Sequence, residues 1–574
     1  MFKKSLSVIL ALLMIISCMS TMMFTASAEE FDSTWTGIDS LSDITDLTGK
    51  YYLTQNIGSA EAPSATIIGT INDTPFTGII DGNGHTIYTS VPIFFWFDGT
   101  AQNLNISGKI TAGLSNLVGA LCVAVKDANC KVVLNNVKSD VEISVSGVSY
   151  VGGFVGQSLG AVEFIKCENN GVINAVGGMY VGGFVGRVGN NTQSTHTSVF
   201  SECINNADMT VTSTGNLYVG GFCGWYFLKN AYNIESCTNN GAIKASSSVP
   251  TSARVGGFIG FAQQNNSHSY IDSKNIGVID VVGVVGGLVG WDNGTVVAIN
   301  CVNYGSVFSN QTAGGIAGYL AKDSKLIVCV NKGNVTVNDG LNGAVGYFAG
   351  GIAGLCSGVN TLHQCANYAE VNCNHTAAPD KTYAAGIIGS GKDGTVFNYC
   401  QNTGTISGQE AGVKAEIAST GILNRCGSSD TTVSLDFEGV QRSIAVENET
   451  TFSLRFITKI TDINKYKSTG VMVYMTEPGT QDVKHTNNNT TTVYTQISGM
   501  EDGVNKAYPE TVVVGTYYSA LTVTDISVTG TYSFIVVPYT VDLDGNYAYA
   551  DGYTVTVTNG GTPTVTALAP AASN

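Results

Sequence analysis

Val181-Gly-Gly-Phe-Val-Gly186, then Cys203-Ile-Asn-Asn-Ala-Asp-Met209, Val219-Gly-Gly-Phe-Cys-Gly224 and Cys237-Thr-Asn-Asn-Gly-Ala-Ile243, is the stretch that decides the fold. Both motifs recur. The glycine motif begins at Val118 (a weak copy), Val151, Val181, Val219, Val255, Val285, Ala313, Ala349 and, degraded, Ala384. Its starts are 33, 30, 38, 36, 30, 28, 36 and 35 residues apart, so 28 is the smallest unit and the longer ones carry loop insertions. The second motif begins at Cys167, Cys203, Cys237, Ser273, Cys301, Cys329, Cys365 and Cys400. It reads as a small residue, Asn two later, usually Gly two after that, then an aliphatic.

Each unit carries three short runs of strand-forming residues bounded by Gly, Asn or Ser. One unit cannot bury its own apolar face. Stacked as rungs of a parallel coil, each strand bonds to the rungs above and below. Like residues then lie about 4.8 Å apart. A small apolar thiol stacks well on itself, which accounts for the Cys column. Asn tolerates left-handed turns and can bond in a ladder along the coil. Paired Gly and abundant Val, Ile and Thr disfavour helix.

The pairing of V-G-G-[FLI]-V-G with C-x-N-x-G-x-[IV] resembles the GLUG-motif repeats of bacterial surface and adhesin-like proteins, over roughly residues 115–410. That resemblance implies a right-handed parallel β-helix, extracellular placement and a role in adhesion, without a defined ligand. The Ala substitutions after Ala313 and the lost glycine at Ala385 depart from the pattern. The stretches at 49–56 and 76–87 fit the first turns leading into such a coil. The expected organisation is a signal peptide over 1–28, an N-terminal cap and first turns over 29–114, and the repeat coil over 115–430. A C-terminal module over 431–557 and a flexible tail over 558–574 follow. The C-terminal module alternates with period two at 451–460, 470–475, 492–497 and 532–537, which predicts a small antiparallel β-sandwich of Ig-like shape.

The first 28 residues read as a secretory signal: Lys3 and Lys4, an apolar run at 6–16, and Ala26-Ser27-Ala28 as the cleavage site. Ile15-Ile16-Ser17-Cys18 also fits a lipobox, with Cys18 acylated. Neither reading leaves a membrane-inserted segment in the mature chain. Over the 574 residues the net charge is −16, which opposes nucleic-acid binding. Residues 101–425 hold 18 acids and 17 bases, so the acidity sits at the two ends.

Candidate chemistry is sparse. One cysteine per rung favours buried free thiols over disulfides, although Cys122 with Cys130 and Cys365 with Cys373 are local pairs that could bridge. No spacing suits a metal or a cofactor. Asp292, Asp323 and Asp393 read as solvated turn residues. Asp542, Asp544 and Asp551 are weak calcium candidates beside an Asp-Gly hairpin turn. Catalysis on a β-helix needs converging carboxylates. Asp272 with Asp280 is the best pair, and His85 reads as a turn residue, so no catalytic residue is assigned. The residue after the last glycine of each motif is Gln157, Arg187, Trp225, Phe261, Trp291, Tyr319 and Leu355 in turn. In register, Trp225, Phe261, Trp291 and Tyr319 would form a strip suited to sugar rings. Alternation from the preceding valine points that column inward, whereas a bend at the glycines would turn it outward.

These observations lead to a secreted or cell-surface, monomeric binding protein whose partner is a glycan or a host or neighbour surface protein. A polysaccharide lyase or hydrolase and a purely structural spacer are the alternatives.

Overall fold

The computed structural model describes residues 31–264, 266–338, 346–363, 365–374, 382–392, 395–398, 400–402, 404–408 and 422–424 of the coil. Of the C-terminal part it describes 435–443, 450–461, 466–475, 484–485, 500–502, 516–542, 547–550 and 552–567. The signal segment with Cys18 lies outside the described residues, as do Asp393, Asp544 and Asp551.

The protein is all-β and built around a parallel β-solenoid. Among the described residues the helical content is two 3-10 turns, Leu41–Asp43 and Pro250–Ser252. One turn of the coil shows the logic. Tyr180–Gly182 joins a nine-stranded sheet, and Val185–Val188 joins a ten-stranded sheet. Ser198–Ser201, Ile204–Asn205 and Met209–Ser213 then join a large third sheet of 31 strands. The described strand pairs of the coil are parallel and, through the repeats, in motif register: Val181 pairs with Val151 and Val219, and Asn205 with Asn169 and Asn239. The coil begins earlier than the repeat. Trp35–Ile38 already pairs in parallel with Lys50–Leu53, so the expected N-terminal cap consists largely of coil turns.

Three columns hold the turns together. Cys167, Cys203, Cys237, Cys301, Cys329, Cys365 and Cys400 line the apolar interior, with Ser273 in the gap. Cys203 N–H donates to Cys237 Sγ at 3.4 Å on the next rung. All twelve described cysteines are free, so neither local pair is bridged. Burial raises the thiols of Cys122, Cys203, Cys223 and Cys365 well above the ordinary range.

Two residues beyond each cysteine, Asn169, Asn205, Asn239, Asn275, Asn303, Asn331 and Asn367 are fully buried. Each donates from Nδ2 to Oδ1 of the next asparagine, at 2.7–3.2 Å from Asn169 to Asn402. From Asn239 onward each also donates to the carbonyl two residues on, as Asn303 does to Gly305 O at 2.8 Å. The second motif glycine lies against this ladder. A Cβ on Gly287 would come 2.6 Å from Asn303 Cγ, so Asn and Gly-Gly form one packing unit.

The third column bends the chain. Asn103, Asn136, Lys166, Glu202, Ser236, Asp272, Asn300 and Val328 all have φ between +48° and +54°. Each from Lys166 on directly precedes the Cys-column position. Asn accepts this region readily; Lys, Glu and above all Val do so only because the stacked strands on both sides impose it.

The C-terminal part comprises two antiparallel sheets. One holds Met500–Asp502, Leu435–Ser443, Thr451–Thr461 and Thr516–Ser527. The other is built on Tyr466–Met475, Thr531–Asp542 and Tyr553–Thr558. Phe437, Phe452, Phe456, Val473, Phe534 and Val555 share one core between them. The expected flexible tail is partly ordered: Thr564–Ala567 pairs with Tyr553–Thr558, and its Val565 packs against the core of the two sheets. The second sheet also packs on the coil. Ile535, Val537 and Tyr539 cover Ile271, Ile299 and Ile327, an outward column on three successive rungs.

Candidate ligand-binding corner

The glycine motif makes the corner. Val181, Phe184, Val185 and Val188 all enter the core, whereas Arg187 does not. Strict alternation from Val185 would put Arg187 inside and Val188 outside. Gly186 reverses that phase. A Cβ there would lie 2.8 Å from Val151 N and 2.9 Å from Tyr180 O, so the outer faces of two sheets meet backbone to backbone. Gly224, Gly260 and Gly290 repeat the approach. The glycines form the floor of a concave angle, and the outward side chains beside them form its walls.

Two columns line those walls. On the ten-stranded sheet, Gln157, Arg187, Trp225, Phe261, Trp291, Tyr319 and Leu355 stand in consecutive register. On the nine-stranded sheet, Tyr150, Tyr180, Tyr218, Arg254 and Val284 do the same. The aromatic residues pack into a cluster of their own, separate from the coil interior. The inward orientation that alternation favours is therefore overturned, by the bend at Gly186 and its equivalents.

The column is not a flat platform. Phe261 is only 6% exposed, while Trp225, Trp291 and Tyr319 are partly exposed. Trp291 meets Phe261 edge-on at 78° and Tyr319 at 69°. Across the corner Trp225 packs on Tyr180 at 4.8 Å and Phe261 on Tyr218 at 5.0 Å. Two guanidiniums are wedged between the rings. Arg187 lies 4.5 Å from the Trp225 ring centre and 5.6 Å from that of Phe227. Arg254 lies 4.4 Å from Phe261, 4.3 Å from Trp291 and 5.1 Å from Tyr218. Such contacts are favourable when desolvated. Burial, with Tyr150 and Tyr218 beside it, pushes the Tyr180 hydroxyl up to about 12.

Arg254 was the residue that reading the sequence passed over. Its signal was the position before each motif valine, which reads Tyr150, Tyr180, Tyr218 and Arg254 on four successive rungs. Its partnership with Trp291 is a contact across two sheets, which no single-strand pattern reveals.

The remaining sequence candidates separate. Asp292, expected in a solvated turn, is fully buried inside the coil. It accepts from the Tyr232 hydroxyl at 2.9 Å and from Gly294 N–H at 2.7 Å, and its Oδ1 lies 3.8 Å from His268 Nε2. Burial raises the Asp292 carboxyl and lowers the His268 imidazole. The group is sealed by Tyr226, Tyr232 and Tyr270, so it is a polar knot of the interior. Its inward phase again follows from the Gly290 bend.

Asp272 sits on the left-handed column, held by Asn300 Nδ2 at 2.6 Å, and burial pushes its carboxyl up to about 6. Asp280 is exposed on a different strand, Ile279–Val281. Asp323 is exposed and caps Val359 N–H at 2.7 Å. His85 N–H closes a turn onto Gly82 O at 2.7 Å. Asp542 ends the strand Thr531–Asp542. Among the described residues no three His, Cys, Asp or Glu side chains gather around a metal position, and no helix is long and apolar enough to cross a membrane.

No family model, curated protein or solved structure matches this chain.

Proposed function

We propose that this is an exported extracellular or cell-surface binding protein, adhesin-like, that recognises glycan through the aromatic corner of its coil. The observation that carries the reading is the paired outward columns. Partly exposed Trp225, Trp291 and Tyr319 recur at the rung spacing in a concave angle, where sugar C–H faces can lie against ring faces. The coil interior is filled without them by Val, Phe, Cys and Ile; outside it, Trp225 and Trp291 pack at the edge of the Tyr180, Tyr218 and Phe261 cluster. The resemblance to GLUG-motif proteins supports the same role and a right-handed coil; the period-two runs at 451–460, 470–475 and 532–537 support an Ig-like C-terminal sandwich. The leader over 1–28 supports export. The stiff coil is the scaffold, the partner is a glycan or a surface protein carrying one, and the protein acts as a monomer without catalysis.

The test is glycan-array binding by the wild type and by Trp225→Ala and Trp291→Ala, with thermal melts alongside. Loss of glycan retention by both variants at an unchanged melting temperature supports the reading. An array profile identical to wild type ends it.

A further inference from the structure

Arg187 and Arg254 set the corner apart from a neutral stacking surface. Arg187 is 94% buried by its 6% exposure, and Arg254 is largely covered. Neither has a carboxylate within ion-pair distance among the described residues, although five Lys–acid pairs occur elsewhere on the coil. Their neighbours are neutral: Tyr150 hydroxyl and Asn190 Oδ1 for Arg187, and the Tyr218 hydroxyl with aromatic rings for Arg254. Arg187 Nε, Arg254 Nε and Trp225 Nε1 are all buried without a hydrogen-bond partner.

A buried cation without a counter-ion is costly, and so is each orphaned N–H. Here two such cations and three such donors fall within one corner, in a chain whose net charge is −16. The pattern is economical for a site completed by an incoming anion. A guanidinium presents a planar fork that matches a carboxylate, and the flanking rings take the apolar face of the molecule that carries it.

The separation adds a dimension. Arg187 pairs with Trp225, and Trp225 with Phe261, which shares a rung with Arg254. The two charges are thus two rungs apart, about 10 Å at the inter-strand spacing. That is close to the length of a disaccharide along a polymer.

We propose that the corner binds an acidic polysaccharide, with carboxylates of uronic acid residues on Arg187 and Arg254 and the sugar rings on Trp225 and Trp291. This rests on the glycan-binding reading and narrows it to one chemical class. Burial lowers the Arg254 guanidinium somewhat, and a bound carboxylate would reverse that.

The experiment compares polygalacturonate with its fully methyl-esterified form, which keeps the rings and removes the charge; alginate and hyaluronan serve as further acidic probes. Binding of the full-length protein is followed by affinity electrophoresis or calorimetry. The expected result is at least tenfold tighter retention on an acidic polymer than on the ester, weakening steeply with salt. Arg254→Lys and Arg187→Gln should each lose most of that preference at an unchanged melt; the wild-type comparison of acid with ester stands even if a variant misfolds. Equal retention of acid and ester, lost in Trp225→Ala but unaffected by the Arg variants, overturns the acidic assignment and leaves the glycan reading standing. Retention of no polymer, acidic or neutral, overturns both.

Discussion

Asn303→Ala probes the feature on which the coil depends. Asn303 is fully buried. It accepts from Asn275 Nδ2 at 2.8 Å and donates to Asn331 Oδ1 and to Gly305 O, both at 2.8 Å. Alanine removes all three bonds. Asn275 keeps its bond to Gly277 O but strands its second N–H. Asn331 Oδ1 still receives Gly333 N–H at 3.3 Å, while the Gly305 carbonyl loses its side-chain donor. At roughly 1 kcal/mol per net bond for three bonds, plus roughly 1–3 kcal/mol for a stranded buried group, the cost comes to about 4–6 kcal/mol.

An internal control isolates burial as the cause. Asn240 makes the same kind of bond, Nδ2 to Asn206 Oδ1 at 2.7 Å, in an exposed column where water can replace it. Asn240→Ala should cost less than about 1 kcal/mol. Urea unfolding followed by far-UV circular dichroism gives both values. Because stacked units can uncouple, the slope with denaturant is compared as well as the midpoint. Equal, small losses for Asn303→Ala and Asn240→Ala would refute the claim that the buried ladder holds the rungs in register.

Other consequences are measurable. The described thiols other than half-buried Cys130 should resist a thiol reagent in the native protein and react on unfolding; rapid native labelling of Cys203 or Cys301 would contradict their burial. Burial, with Asp272 and Glu202 nearby, pushes the Glu235 carboxyl up to about 8. The folded state then holds a proton that the unfolded chain releases near its ordinary value, so stability falls as pH rises from about 4.5 towards 8 and levels off above. Glu235→Gln should remove that slope and gain on the order of 2–3 kcal/mol at pH 8.5, discounted for partial solvent access, with no gain at pH 4; parallel pH–melting curves for variant and wild type would exclude the shift. Ile299→Asp places a charge under Val537 and Ile535, so the C-terminal sheets should detach from the coil and become protease-sensitive while the coil keeps its circular dichroism. An unchanged proteolysis pattern would mean that the contact is dispensable.

The repeat spacing alone determined the coil. A motif that returns once per rung translates directly into a column, so the Cys, Asn and aromatic files are all legible in register from the sequence. The limit was reached wherever the backbone changes phase. Reading outward or inward by alternation assumes an unbroken strand, and Gly186, Gly224, Gly260 and Gly290 each break it. That single bend sent Trp225 outward and Asp292 inward, against the expectation for each. The pairing of Arg254 with Trp291, and of Ile299 with Val537, joins different sheets or residues more than two hundred positions apart. Period and propensity are local quantities. Which faces finally meet depends on how bent strands pack in three dimensions, and only the tertiary structure decides that.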